Sequence, residues 1–260
     1  MSLEQASYVL IGICGAIFAN STGAGGGVVF IPLFHALGLG GLTAVATSFG
    51  IQSFGMTMGA LAWTQHFLRH RLKLQWDAFI PGIALTAPCS IAGLWTAYGL
   101  EMGAPAETLS VFAVFSIVLG TAILWVAFTQ RERLRFTLDR ADLIALVPIA
   151  YFGGIVTAWI SVGVGEFVAF YLIMRRYDVT ESVAIAVVVS AITVWSAAPV
   201  HLGADSNAAW PLVMYAGPGA LVGALIARSL ALRLGAVRLK RFFGFWLLVV
   251  GLAELLPIGF

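Results

Sequence analysis

This chain of 260 residues carries very little charge for its length. Lys, Arg, Asp and Glu together make up 10% of the residues, whereas 60% are hydrophobic. A soluble domain of this size cannot cover its surface with so few charged side chains. The composition therefore predicts a membrane protein whose main partner is the lipid bilayer.

Several patterns that would indicate other functions are missing. The formal net charge of +2 is too small to indicate a nucleic-acid partner. The two cysteines, Cys14 and Cys89, lie in separate apolar segments, which predicts core residues rather than a disulfide or a metal pair. The histidines have no metal-ligand spacing, and the glycine-rich segments lack the Lys-Ser/Thr of a P-loop. We therefore expect no metal, no cofactor and no ATP-driven pump.

A glycine-rich segment occurs twice in the chain. Residues 21–30 recur, weakly, as residues 161–170, and the same register of 140 positions places Ala44 on Ala184. Each copy interrupts a long apolar stretch. Paired interruptions at matching positions of two halves indicate a transporter built from repeats, with its binding site at the breaks.

The apolar stretches predict the membrane segments, because a helix needs about 20 apolar residues to cross a bilayer. The first and fifth are too long for one helix and are interrupted at 20–27 and 161–166. The stretches are residues 8–37, 42–63, 78–98, 108–128, 143–174, 182–200, 208–227 and 242–256.

The distribution of Lys and Arg predicts the orientation. Basic residues lie in 69–73, 131–140, 175–176 and 228–241, which should be cytoplasmic, whereas the other connections lack them. Since 131–140 and 175–176 are then on one side, the stretch between them must enter and return as a hairpin. The same arrangement in the first copy places the N-terminus outside.

The predicted fold is an all-α polytopic membrane protein of two inverted repeats. Each repeat has one broken or re-entrant hairpin and three crossings, and three is odd, so the second repeat is inverted. The predicted units are a first transmembrane repeat (1–128), a cytoplasmic linker (129–141) and a second transmembrane repeat (142–260). The alternative has eight full crossings with a broken first and fifth helix.

The two breaks are the candidate binding site. Glycine allows a ligand to approach the backbone closely, and a helix that restarts after a break presents free N–H groups and its positive dipole end. Two such ends near the midplane would bind an anion. The alternatives are close packing by glycine, helix capping, and hydrogen bonds between helices. The candidate substrate-binding residues are Asn20, Ser21, Thr22, Gly23, Gly25, Gly26, Ser48, Gln52, Ser161, Gly163, Gly165, Ser190 and Thr193.

Glu166 is an ionisable residue next to the second break, inside an apolar stretch. Such residues are costly in a membrane and are candidates for function. We predict a proton-coupling carboxylate, because an ionised Glu166 would repel an anionic substrate. The alternative is a glutamate kept neutral by a hydrogen bond, or one near the cytoplasmic mouth.

The first half resembles the TauE/SafE family of membrane transporters. The resemblance rests on the glycine run and apolar stretch of 23–33, on 37–39, and on the Ala-x-x-Thr-Ser pattern of 44–48. It extends over the whole length, although the second half has Glu166 and Phe167 in place of two glycines and Val-Val at 187–188 in place of Thr-Ser. The resemblance implies transport of small sulfur-containing anions, such as sulfite or organosulfonates, across the bacterial cytoplasmic membrane.

The predicted function is therefore secondary active transport of a small anion by alternating access. The proton gradient or the anion's own gradient would supply the energy. One alternative is an anion channel, which needs a more polar lining than these segments offer. Another is an intramembrane enzyme, but no Ser–His pair, paired membrane Asp or H-E-x-x-H pattern occurs, so we expect no enzyme. The particular anion, the direction of transport, the coupling ion and the oligomeric state stay open.

Overall fold

The computed structural model describes residues 3–103, 108–129 and 135–255, and every regular element in these ranges is a helix. Four of the described helices are long and apolar enough to cross a membrane: α4, α6, α8 and α9. The helices are α1 (Leu3–Thr22), α2 (Gly27–Ala36), α3 (Gly41–His70), α4 (Phe79–Gly99), α5 (Thr108–Thr129), α6 (Arg140–Ile160), α7 (Val164–Met174), α8 (Val179–His201), α9 (Trp210–Leu234) and α10 (Ala236–Leu255).

Both long apolar stretches are divided into two helices. A helix of 20 residues, α1, is followed by one of 10, α2; a helix of 21 residues, α6, is followed by one of 11, α7. The breaks are narrower than the sequence predicts and comprise only residues 23–26 and 161–163. Asn20, Ser21 and Thr22 still belong to α1, because their side chains donate hydrogen bonds to carbonyls of its preceding turn.

The basic segments are more helical than their hydropathy indicates. Residues 228–241 were expected to form a loop, but α9 continues to Leu234 and α10 starts at Ala236. Only Gly235, with φ +73°, separates the two helices. Helices therefore extend past their apolar cores, since Arg and Lys are good helix formers. Part of the predicted linker, residues 130–134, lies outside the described residues.

The second pair of helices, α6 and α7, forms a hairpin. Asp142, in the first turn of α6, accepts hydrogen bonds from Tyr171 (2.9 Å) near the end of α7 and from Arg175 (2.6 Å) and Tyr177 (2.5 Å) just beyond it. The start of α6 and the end of α7 therefore lie at the same end of the bundle.

The first pair, α1 and α2, has the same shape. Gln5, near the start of α1, bonds to Tyr215 in α9, and Ala209, just before α9, bonds to Thr47 near the start of α3. Since α3 follows α2 closely, the start of α1 and the end of α2 lie at the same end of the bundle.

Contacts at successive positions give the directions of the helices. Val9 lies against Gly219 and Ile13 against Gly223, so α1 and α9 run parallel at close range. In the same way α4 and α6 run parallel, joined by two hydrogen bonds, Tyr151 to Thr96 and Trp159 to Met102. Glycines allow this approach, because a Cβ at Gly223 would be 2.3 Å from the Ile13 carbonyl oxygen.

The two central helices, α3 and α8, run antiparallel. Phe49 stacks on His201 with 4.3 Å between ring centroids, and Trp195 donates a 2.6 Å hydrogen bond to Thr57. Hydrogen bonds near both ends show that α3 is parallel to α9 and that α8 is parallel to α4. Helices α1, α3 and α9 therefore point one way, and α4, α6 and α8 point the other way.

One end of the bundle carries the basic side chains. It is the end at which α3, α7 and α9 finish and α6 and α8 begin, and we call it the basic end. Its described basic residues include Arg69, Arg71, Arg135, Arg175, Arg176, Arg228 and Arg233.

Candidate functional site at the two helix breaks

The two breaks contact each other directly in the middle of the bundle. A Cβ added to Gly27 would lie 2.5 Å from the Ser161 carbonyl oxygen, and one added to Gly165 would lie 2.5 Å from the Gly23 carbonyl oxygen. These contacts are reciprocal, since each glycine touches the carbonyl that closes the other half's long helix. Only residues without a side chain fit at 27 and 165.

The reciprocal contacts relate positions 138 apart rather than the 140 that the sequence similarity indicates. Gly23 and Ser161 are equivalent because each ends its long helix with a left-handed residue, at φ +80° and +58°. Each also donates its N–H to the residue four positions earlier, Ala19 or Thr157, at 3.0 and 2.8 Å. The register of 140 aligns similar residue types, whereas the register of 138 aligns the positions at which the backbone turns.

The Glu166 carboxylate joins the two breaks. Its Oε1 accepts a 2.7 Å hydrogen bond from the Gly25 N–H, and its Oε2 accepts one of 2.9 Å from the Gly163 N–H. The side chain is buried and lies in the first turn of α7, where the helix dipole favours negative charge. One carboxylate therefore bonds to N–H groups from both halves of the chain.

Gln52 makes a second connection between the halves. Its Oε1 accepts a 2.9 Å hydrogen bond from the Gly26 N–H. Its Nε2 lies 2.7 Å from Ser161 Oγ, 3.1 Å from the Ser161 carbonyl oxygen and 3.0 Å from Ser48 Oγ. Ser48 and Gln52, which are four positions apart on α3, thus both face the breaks.

A small cavity lies beside these groups, with a volume of about 10 Å³. Gly25, Gln52, Ser161, Glu166 and Ser190 all contribute to its wall. A space of this size holds about one water molecule. The Ser190 hydroxyl is buried and has no hydrogen-bond partner among the described residues. The conformation is therefore closed around the junction, with one polar group left over.

A second cavity of about 10 Å³ lies on the other side of Gln52 and is lined by Asn20, Gly26 and Met56, among others. The Asn20 Oδ1 atom is buried there without a hydrogen-bond partner in the described structure. The side-chain Nδ2 of Asn20 donates to the Ala16 carbonyl, and the backbone carbonyl of Asn20 accepts from the Trp63 indole. Gln52 thus lies between the two small cavities.

The structure brings ten of the fourteen predicted site residues together at the junction, including Glu166, and places four elsewhere. The ten are Gly23, Gly25, Gly26, Ser48, Gln52, Ser161, Gly163, Gly165, Glu166 and Ser190.

Of the other four, Asn20 faces the second cavity. Ser21 and Thr22 donate their hydroxyls to the Phe18 carbonyl in their own helix, and Thr22 Oγ1 also accepts from the Ala24 N–H at 3.3 Å. Thr193 is 2.7 Å from Ser90 in a hydrogen bond between α4 and α8. For Ser21, Thr22 and Thr193, these bonds fit the alternative roles of capping and helix–helix contact.

Thr157 is a site residue that sequence reasoning missed. Its hydroxyl donates to the Gly153 carbonyl at 2.7 Å and accepts from the Val164 N–H at 3.1 Å, and it lines the first cavity. Thr157 therefore accepts a hydrogen bond from one of the free N–H groups at the start of α7, on the other side of the break. Its position four residues before Ser161, on the same helix face, was a usable signal.

Asp142 was also missed, and it organises the basic end. Burial, together with the hydrogen bond to Asp142, raises the pKa of Tyr177 well above its usual range, so the hydroxyl stays protonated as a donor. The signal in the sequence was the Asp139-x-x-Asp142 pair that begins an apolar run, because it forms a capping box.

A family model described as "Sulfite exporter TauE/SafE" matches residues 8–253, a range that includes both breaks and almost all of the ten helices. The chain belongs to the TauE/SafE family. No curated protein and no solved structure matches it. Membership confirms the resemblance seen in the first half and makes this TauE/SafE chain a multi-pass membrane protein of a transporter family.

Proposed function

We propose that this TauE/SafE protein is a secondary transporter of small sulfur-containing anions, such as sulfite or an organosulfonate. The observation that carries the proposal is the junction at which N–H groups of Gly25 and Gly163, one from each half, point at a single carboxylate. A bound oxyanion would accept hydrogen bonds from the same donors. Hydroxyl groups of Ser161 and Ser190 and the Gln52 amide would complete its shell.

Neutral donors suit transport better than a cationic site does. None of the residues that line the first cavity is Lys or Arg. Backbone N–H groups at helix starts bind anions through hydrogen bonds and the helix dipole. Because no full opposite charge holds the anion, it can also leave, which a carrier requires in every cycle.

Glu166 supports coupling to protons. Its carboxylate takes the position that a substrate oxyanion needs, so the two negative groups compete for the N–H groups of Gly25 and Gly163. Protonation removes the charge of Glu166 and releases these donors. We therefore propose that a proton binds to Glu166 when the anion binds, and that the two move together.

We further propose that the two halves are inverted repeats with re-entrant hairpins. The support is that α1, α3 and α9 run opposite to α4, α6 and α8, so that each helix opposes its counterpart in the other half. In addition, α4 and α9 share a Pro-x4-Gly pattern, Pro88 to Gly93 and Pro218 to Gly223. The positive-inside rule then assigns the basic end to the cytoplasm. A bacterial cytoplasmic membrane is the location that we propose.

The topology gives a prediction for single cysteines in a variant that lacks Cys14 and Cys89. Thr137→Cys and Arg176→Cys, on either side of the α6–α7 hairpin, should both be protected from an impermeant thiol reagent in intact cells. Gly40→Cys, at the opposite end and exposed, should react. Opposite reactivity of positions 137 and 176 would instead show that α6 and α7 together cross the membrane once.

The transport proposal is tested first by anion binding to the purified protein. A ligand that binds the folded state raises its thermal stability by mass action. We expect short sulfonates and sulfite to stabilise the protein more than carboxylates of the same size, and more strongly as the pH falls. A sulfonate is the better probe, because it stays ionised and any pH dependence then arises from the protein. No stabilisation by any sulfur oxyanion at any pH would contradict the proposal.

Counterflow separates the carrier from the alternative channel. Proteoliposomes loaded with unlabelled sulfonate should take up labelled sulfonate transiently against its gradient, since a carrier exchanges its ligand from both sides. A channel gives conductive uptake that does not saturate and shows no counterflow.

A further inference from the structure

A larger, polar pocket lies at the basic end, far from the breaks. It has a volume of about 410 Å³ and is lined by Arg135, Arg175 and Arg176 together with Met174. Two of the arginines are held by carboxylates: Arg175 binds Asp142 at 2.6 Å, and Arg135 binds Asp139 at 2.5 Å. Three guanidinium groups against two carboxylates leave a positive charge at the pocket.

Arg176 supplies this charge from an unusual backbone position. It follows the end of α7 with φ +67°, and the bonds from Arg176 N to Ile173 O (3.1 Å) and from Tyr177 N to Leu172 O (3.0 Å) close the helix. This position is usually glycine, because a left-handed residue with a side chain costs about 1–2 kcal/mol. Arg176 is exposed and forms no ion pair with Asp139 or Asp142. The turn itself therefore does not require an arginine at this position.

An apolar groove continues from the pocket along the outer surface of the α6–α7 hairpin. It has a volume of about 500 Å³, and its wall on α7 is formed by Phe167, Phe170, Tyr171 and Met174, which share one helix face. Phe152 of α6 faces it and is 61% exposed. Met174 lines both spaces, so the groove and the arginine pocket adjoin at this residue.

We propose that an anionic phospholipid occupies this site, with an acyl chain in the groove and its phosphate in the pocket. Arginine binds phosphate strongly through paired N–H groups, and basic pockets between membrane helices at the cytoplasmic side suit anionic headgroups. A soluble anion would contact the arginines but leave the apolar groove empty. A neutral lipid would fill the groove but form no ion pair with the arginines. The combination of both surfaces, joined at Met174, selects an anionic lipid.

The site lies on the α6–α7 hairpin, which contains the second break and Glu166. A lipid that spans α6 and α7 would hold these helices together at the end away from the break. We therefore expect the lipid to stabilise the closed conformation even when no anion is bound.

The test compares lipids with identical acyl chains in detergent solution. We expect phosphatidylglycerol to raise the melting temperature more than phosphatidylcholine does, and Arg176→Gly to weaken the apparent affinity for phosphatidylglycerol about tenfold. Glycine suits a left-handed position, so Arg176→Gly should be at least as stable as the wild type without lipid. Arg233→Gln is the matched control, because it removes one exposed charge from the basic end outside the pocket.

Three outcomes would overturn the proposal. The first is an unchanged response of Arg176→Gly to phosphatidylglycerol. The second is an equal loss in Arg233→Gln, which would show a general effect of surface charge. The third is full stabilisation by glycerol phosphate alone, which would show that the pocket binds a soluble anion and that the groove contributes nothing.

Discussion

Replacing Glu166 with Gln should make sulfonate binding independent of pH. In the wild type, the ionised carboxylate holds the N–H groups of Gly25 and Gly163, and an anion must displace it. If one proton binds with each anion, the affinity should rise up to about tenfold for each unit that the pH falls while Glu166 is ionised. Gln resembles the protonated side chain, so Glu166→Gln should bind with the low-pH affinity throughout. Thermal shift with a short sulfonate over a pH series measures this directly.

The same substitution should uncouple transport. In proteoliposomes, a pH gradient should accelerate sulfonate uptake by the wild type and leave uptake by Glu166→Gln unchanged. Glu181→Gln is the matched control, because Glu181 is also a buried glutamate at the start of a helix, α8, but bonds to Ala78, away from the breaks. It should keep the dependence on pH. A Glu166→Gln variant that keeps it as well would show that Glu166 is a structural link and that the protons act elsewhere.

The carboxylate that we propose for coupling belongs to the second half. In the register of 138 positions, Glu166 corresponds to Val28, which is buried in α2. The single carboxylate nevertheless reaches both breaks, because Oε1 bonds to the first and Oε2 to the second. Proton binding to Glu166 would therefore affect both halves at once, which suits the proposed rocking of one repeat against the other.

The sequence was sufficient to find Gln52 and Glu166, the two side chains that connect the breaks. A polar or ionisable side chain in an apolar segment must find a partner, so Gln52 and Glu166 stood out in their surroundings. Glycine clusters in two long apolar stretches marked both breaks. These signals are local, because each depends on the contrast between one residue and its neighbours.

The site features that the sequence did not predict depend on packing between segments far apart in the chain. Whether Thr193 faces the breaks or Ser90 is decided by the rotation of α8 against α4, which the helical period alone does not fix. Thr157 was missed because a hydroxyl in a helix usually bonds to its own backbone, and only the return of α7 gives it a second partner. The register of 140 failed for a similar reason, since the turns at Gly23 and Ser161 differ in residue type but share their backbone conformation.

Gly27→Ala and Gly165→Ala should both disrupt the junction severely. In each case the new methyl group would lie 2.5 Å from a backbone carbonyl oxygen of the opposite break. A carbonyl that ends a helix cannot move aside without separating the halves, so we expect each substitution to lower the free energy of unfolding by about 2–3 kcal/mol. Melting temperature and sulfonate transport should both fall, and by similar amounts in the two variants because the contacts are reciprocal.

Gly25→Ala and Gly41→Ala provide the comparison. A Cβ at Gly25 would meet its nearest neighbours, Gln52 and Ser161, at an ordinary 3.4 Å, and one at Gly41 would meet nothing within 4 Å. Both variants should fold with nearly normal stability. In the register of 140 positions, Gly25 is the counterpart of Gly165, so these two would respond alike. In the register of 138, the counterpart of Gly165 is Gly27. Two reciprocal carbonyl contacts at the junction therefore require a severe effect at position 27 and a mild one at position 25.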